Sequence, residues 1–318
     1  MKIVILDGHA VNPGDLSWDF LNVFGEVTVY DTTGKDQVIP RIQDADIILI
    51  NKIIIDQALL DACPKLKLVC VLATGYNVVD CDACAKRGIP VCNVPAYGTD
   101  AVAQFTFSLL LELCNRVGLH DQLVHEGQWP KHIGFCFWQT PQMELAGKTM
   151  GIIGFGRIGR AVGRIANAFG MRVLAYNRSR CPEGQAIGQY VDLDTLLKES
   201  DIVSLHCPQT PETVNLINQE SLSKMKDGAI LLNTARGAVV NEADVAAALT
   251  QGKLRGFAAD VVSAEPISDT NPLLTAPNCI LTPHMAWAPI ESRKRILDSV
   301  TQSITGFLAG KLVNTVNM

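Results

Sequence analysis

Short apolar runs recur through the first hundred residues: "KIVILDG", "EVTVYD", "DIILINK", "LKLVCVLATG" and "IPVCNVP". Polar or amphipathic stretches of about one helix separate them. Continuous apolar runs suit strands covered on both faces, and this alternation predicts βαβ units and a parallel sheet. The runs end in Asp, Gly or Asn, as expected where chain and ligand meet at a sheet's carboxyl edge. "TDAVAQFTFSLLLELCNRVG" then breaks the rhythm. It holds no internal Pro or Gly and opens on a Thr-Asp cap, which predicts one long helix. "HEGQWPKHIGFCFWQTPQMELAGK" is aromatic and rich in breakers and reads as a long ordered loop. A second series starts at Lys148 with "KTMGIIGFG", "MRVLAYN", "DIVSLHCP", "AILLNTARG", "LRGFAADVV" and "CILTPH". The closing "APIESRKRILDSVTQSITGFLAGK" has the pattern of one amphipathic helix. Two α/β modules follow, each with its own parallel sheet.

The length of 318 residues allows two domains, and 48% hydrophobic residues allow each a sizeable core. The net charge is −5 and no basic stretch is dense, so neither nucleic acid nor a membrane surface is an expected partner. The apolar run at the N-terminus is too short for a signal peptide, and no segment is long enough to span a membrane. A cytoplasmic protein is expected. Of ten cysteines several sit inside apolar runs, such as Cys70 in "LKLVCVLA", as buried free thiols do. Cys81 and Cys84 form a CxxC, but no second pair follows at zinc spacing, and no metal site is expected.

Gly154, Gly156 and Gly159 make G-x-G-x-x-G between an apolar strand and an amphipathic helix, with a second strand beyond. In that context the motif predicts a dinucleotide site. Gly154 permits the tight turn, Gly156 lets the backbone approach phosphate, and Gly159 lets helix and strand pack closely. Helix amides then face the pyrophosphate. The end of the second strand selects the cofactor. Asn177 stands where an acid would bond the ribose hydroxyls of NAD, and Arg178, Ser179 and Arg180 follow. Guanidinium groups match phosphate. NADP is therefore favoured slightly over NAD; the alternative is that the arginines are solvated and Asn177 bonds the NAD ribose.

Arg236 in "LLNTARG", Glu265 in "DVVSAEP" and His284 in "LTPHMAW" follow later strands, where side chains face a cleft. With "LATGYNVVD", "NVPAYGTDAVAQ", "ELAGKTMGIIGFGRIG", "LHCPQTPET" and "NTARGAVVNEADV", they resemble the D-isomer-specific 2-hydroxyacid dehydrogenases over essentially the whole chain. Within that family the stretches "LDGHAVNPGDLSW", "INK" and "TPHMAWA" are most similar to the glycerate dehydrogenases, or hydroxypyruvate reductases.

The resemblance implies two Rossmann-like or flavodoxin-like domains with the active site in the cleft between them. Residues 1–99 and 286–318 would form the substrate-binding domain and 100–285 the dinucleotide-binding domain. It implies reduction of hydroxypyruvate to D-glycerate with NADPH or NADH. Arg236 would clamp the substrate carboxylate, His284 would exchange the proton, and Glu265 would fix the imidazole tautomer. Arg157 and Ile158 would lie along the pyrophosphate, and Cys207 and Pro208 would line the adenosine side. Thr234 and Asp260 would lie near the nicotinamide. Thr74, Gly75 and Tyr76 would meet the substrate carboxylate. Lys52 ends a strand and is either a substrate group or a surface lysine. Trp287 stands where a small residue is common in the family. Two alternatives stay open: a reductase of another short 2-oxo acid, such as glyoxylate or pyruvate, and a nucleotide-sensing binding protein of the same fold. The helix after Thr99 and the aromatic loop at 129–138 carry enough apolar surface to predict a homodimer.

Overall fold

A computed structural model describes residues 1–318. The first stretch of chain supplies β1 (Lys2–Ile5), β2 (Glu26–Val29), α1 (Val38–Ile42), β3 (Ile47–Ile50), α2 (Gln57–Ala62), β4 (Leu68–Val71), α3 (Cys81–Lys86) and β5 (Val91–Cys92). The middle begins with α4 (Thr99–Asn115) and α5 (Val117–His125). It continues through β6 (Thr149–Ile153), α6 (Arg157–Ala168), β7 (Arg172–Tyr176), α7 (Pro182–Gln185), β8 (Gln189–Tyr190) and α8 (Leu193–Glu199). Then come β9 (Ile202–Leu205), α9 (Gln219–Lys224), β10 (Ala229–Asn233), α10 (Glu242–Thr250), β11 (Leu254–Ala259) and β12 (Cys279–Leu281). The chain closes on α11 (Ile290–Leu308).

These elements divide into two units: Met1–Gly98 with Ala288–Met318, and Thr99–Trp287. In the first, five parallel strands run in the order β2-β1-β3-β4-β5. Every residue of β3 and β4 is buried, which explains their unbroken apolar sequence. The order reverses direction between β1 and β3, and ligands of such sheets bind beside the strand ends at that point. Here Asp7, just past β1, accepts from the backbone N–H groups of Asn51 and Lys52 just past β3, at 2.8 and 2.6 Å. Burial holds Asp7 above the usual carboxylate range against those bonds. The last helix is tied to this unit by Arg293, whose buried guanidinium grips both oxygens of Asp15 at 2.6 Å. Its Nη1 also donates to the Val11 carbonyl.

The second unit has seven parallel strands in the order β12-β11-β10-β9-β6-β7-β8. Alternate residues feed two cores. Val203, Leu205, Leu231 and Ala259 join the cluster beneath α8, α9 and α10. Ile202, Ile230, Leu232 and Ala258 join the one beneath α4 and α6. The reversal of strand order falls between β6 and β9, so the crevice of this sheet lies at their carboxyl ends.

Two local features depart from the sequence expectation. The helix expected to continue to Gly118 ends at Asn115. Arg116 takes a left-handed conformation, φ 50°, and a separate helix, α5, starts after it. A left-handed residue cannot propagate a right-handed helix. The two-residue strand β8 has no apolar run to announce it and pairs at the sheet edge beside β7.

Candidate active site

The glycine motif is built as the sequence requires. Gly154 leaves β6 with φ 92°, a conformation that L side chains rarely adopt. A Cβ there would overlap the backbone of His206 and Cys207, which leave β9 next door. A Cβ at Gly159 would overlap the Gly154 carbonyl. Gly156 is different: a Cβ there meets nothing within 4 Å. Gly154 thus lets the turn close on the chain leaving β9, and Gly159 lets α6 pack on that turn. Gly156 leaves open room at the N-terminus of α6, where unpaired amides attract an anion. That room, beside the switch point, fits a dinucleotide pyrophosphate. Arg157 is exposed there and Ile158 packs partly against the core.

His206 follows β9 on the same crevice. Burial pushes its imidazole down to about 3, so the ring is neutral at pH 7. Its Nε2 pairs with Ser204 Oγ at 2.8 Å, and its buried Nδ1 has no partner within the protein. Sequence reasoning overlooked this histidine, whose neighbours Cys207 and Pro208 it had singled out. At the end of β7, Asn177 Oδ1 accepts from Phe155 N at 3.1 Å, and its Nδ2 donates to the Ser179 carbonyl at 2.7 Å. Asn177 therefore stitches the glycine turn to the loop after β7, leaving Arg178, Ser179 and Arg180 exposed.

Arg236, Glu265 and His284 follow the carboxyl ends of β10, β11 and β12, three adjacent strands in register at Asn233, Ala259 and Leu281. Glu265 and His284 meet: Oε2 and Nδ1 are 2.6 Å apart. An ionised carboxylate can only accept, so the proton of this bond belongs to Nδ1 and the ring's Nε2 is left for other chemistry. His284 has φ 54° and is half-buried. Asp260 holds the turn around it. Buried to 2% exposure, it accepts from Thr282 Oγ1 at 2.6 Å, Met285 N at 2.9 Å and Ala286 N at 2.8 Å. Those bonds stabilise a backbone that a non-glycine residue adopts at a cost of about 1 kcal/mol or more. Arg236 is exposed, with Nη1 donating to the carbonyl of Ala235 at 2.7 Å. Thr234 shares a hydroxyl bond with Thr106 of α4 at 3.0 Å.

The remaining candidates belong to the first unit. Lys52 is exposed beside the β1–β3 reversal, its backbone fixed by Asp7. Thr74, Gly75 and Tyr76 follow β4, with Thr74 Oγ1 donating to the Val94 carbonyl at 2.8 Å. The CxxC lies on α3, where burial pushes Cys84 up to about 11 and so favours the unreactive thiol.

Residues 107–286 match the family model of the D-isomer specific 2-hydroxyacid dehydrogenase NAD binding domain. The chain belongs to the D-isomer-specific 2-hydroxyacid dehydrogenases. They are oxidoreductases, and the cofactor of the matched domain is a nicotinamide dinucleotide. The chain is 51% identical to a hydroxypyruvate reductase of Blautia hydrogenotrophica, covering 100% of both chains. It is 38% identical to a glycerate dehydrogenase of Methylorubrum extorquens, covering 99% of this chain and 98% of that one. Its fold is similar to that of a D-lactate dehydrogenase from Aquifex aeolicus, solved with NAD and lactic acid. The TM-score is 0.86 with 30% identity, over 100% of this chain and 99% of that one. No helix is long and apolar enough to cross a membrane.

Proposed function

We propose that this dehydrogenase reduces hydroxypyruvate to D-glycerate, reversibly, with a nicotinamide cofactor. The 51% identity to a hydroxypyruvate reductase over both full lengths supports the substrate. One observation carries the chemistry: the 2.6 Å bond that commits His284 Nδ1 to Glu265.

A nicotinamide cofactor, when bound, would supply or accept the hydride at C2 of the substrate. The chain supplies the rest. His284 Nε2 delivers the proton to the oxygen at C2 in reduction and removes it in oxidation. Glu265 holds the ring in the tautomer and orientation this needs, and stabilises the imidazolium that oxidation creates. Arg236 gives the substrate carboxylate a planar, permanently charged fork and draws electron density from the 2-oxo group. Thr74, Gly75, Tyr76 and Lys52 are the candidate carboxylate contacts of the first unit. Gly154, Gly156, Arg157, Ile158 and Gly159 form the proposed pyrophosphate cradle, Cys207 and Pro208 the adenosine wall, and Thr234 and Asp260 the nicotinamide side. Chiral chromatography of the product tests the stereochemistry: D-glycerate is expected, and L-glycerate refutes the assignment.

We infer a preference for NADPH over NADH. No carboxylate stands at the end of β7, Asn177 spends its amide on the protein's own backbone, and Arg178 and Arg180 stand exposed beside it. Arg178→Ala should weaken NADPH binding by about tenfold or more while NADH binding changes less than twofold. Fluorescence titration of both cofactors measures this, and equal losses defeat the preference.

We also propose a homodimer. Ile133, Phe135 and Trp138 are exposed at 102%, 90% and 66%, in a loop braced by the bond from Trp129 Nε1 to the Phe135 carbonyl. So much uncovered apolar surface in a fixed loop fits a second copy of the chain. Light scattering at micromolar concentration should give twice the chain mass; a monomer contradicts it.

A further inference from the structure

Glu242 is the first residue of α10, where a carboxylate ordinarily serves its own helix N-terminus. That task is taken by Asn241, whose side chain accepts from Asp244 N. Both oxygens of Glu242 turn instead to the loop after β11. Oε1 accepts from Ser263 N at 2.7 Å. Oε2 accepts from Ser263 Oγ at 2.7 Å and from Asn271 Nδ2 at 2.9 Å. Ser263 opens an exposed stretch without secondary structure, and Asn271 closes it by capping the short helical turn that follows. One half-buried carboxylate therefore pins both ends of a loop, and Glu265 lies within that loop, two residues from the first anchor.

The backbone reinforces the arrangement. Gly237 packs so tightly on Val262 and Ser263 that a Cβ would overlap their backbone atoms. The segment from Arg236 to Glu242 thus carries the proposed carboxylate clamp at one end and the anchor of the Glu265 loop at the other. Glu265 has no strand or helix of its own to set its position, yet its oxygen must stay within hydrogen-bond reach of His284 Nδ1. A displacement of an ångström breaks such a bond and disorients the ring.

We propose that Glu242 is a positioning residue for proton transfer: it holds the 263–271 loop and, through Glu265, the imidazole of His284. The proposal rests on the reading of Glu265 and His284 as the acid–base pair. Steady-state kinetics of hydroxypyruvate reduction test it on the full-length protein, with Glu242→Ala, Glu265→Gln and the double variant. Glu242→Ala should lower kcat about tenfold, with the KM for hydroxypyruvate and the Kd for NADH, from fluorescence, within twofold of the parent. In the Glu265→Gln background the same change should cost less than twofold, because its effect runs through Glu265. Ser263→Ala removes one bond from the loop side, and should lower kcat in the same sense even if Glu242→Ala folds poorly. A normal kcat in Glu242→Ala and Ser263→Ala beside a slow Glu265→Gln overturns the proposal alone, as do losses that multiply in the double variant. A normal kcat in Glu265→Gln overturns the acid–base reading and the proposal with it.

Discussion

Replacing His284 with Asn should slow hydroxypyruvate reduction about a thousandfold while the protein stays folded and binds NADH as before. The size follows from the role. General acid catalysis contributes about 10² to 10⁴ in rate, so losing the proton donor raises the barrier by about 4 kcal/mol. Asn is the informative replacement because the backbone at this position is left-handed, φ 54°, and Asn tolerates that conformation better than most residues. The bonds from Thr282, Met285 and Ala286 to Asp260 are kept, so the turn survives. The expected signature is a fall in kcat, with NADH affinity by fluorescence titration within twofold and a melting temperature within a few degrees. A variant that keeps more than a tenth of the parent kcat removes His284 from the chemistry.

The second large effect separates the two kinds of glycine in the nucleotide turn. Gly154→Ala should destabilise the protein by about 3 kcal/mol even with no nucleotide present. The new Cβ meets the backbone of His206 and Cys207, not a flexible side chain, and the φ of 92° disfavours any L residue. No rotamer relieves such a clash, so β6 and β9 must part at their carboxyl ends. Gly156→Ala should cost the apoprotein only about 1 kcal/mol or less, because its Cβ meets no protein atom within 4 Å and only the preference for Gly over Ala at the N-cap of α6 is lost. What it intrudes on is the room proposed for the pyrophosphate, so its cost should appear as at least a tenfold loss of NADH and NADPH affinity. Urea unfolding without nucleotide, then fluorescence titration of both variants, reads the contrast. Equal stability of the two apoproteins contradicts the steric account of Gly154, and unchanged affinity in Gly156→Ala contradicts the placement of the pyrophosphate.

Much of this was legible in the chain because the physics involved is local. Buried parallel strands need unbroken apolar runs, and β3, β4, β6 and β10 are buried at every position. The glycine motif could be read because strand, turn and helix are consecutive. Arg236, Glu265 and His284 follow apolar runs, and the resemblance to the family, not that position alone, is what implies their roles.

What stayed hidden depends on contacts across the sheet. Glu242 and Ser263 are 21 residues apart, and only the adjacency of β10 and β11 brings them together. Asp260 suggested a cofactor contact in the sequence; the hold it exerts on the His284 turn needs the return of the chain through β12. His206 carries no sequence signal of its own, and its distinguishing feature is an unpartnered Nδ1 visible only in three dimensions. The break at Arg116 had no Pro or Gly to mark it, since a left-handed arginine carries no compositional signal.

Everything proposed for the site depends on the chain turning over hydroxypyruvate by hydride transfer from a nicotinamide cofactor. Initial rates at neutral pH, followed at 340 nm with NADPH and NADH in parallel, test it directly, with hydroxypyruvate beside glyoxylate and pyruvate. Hydroxypyruvate should give the highest kcat/KM of the three, and NADPH should be the better donor. Faster turnover of glyoxylate or pyruvate would contradict the substrate assignment, and no turnover of any of the three would contradict the dehydrogenase activity itself.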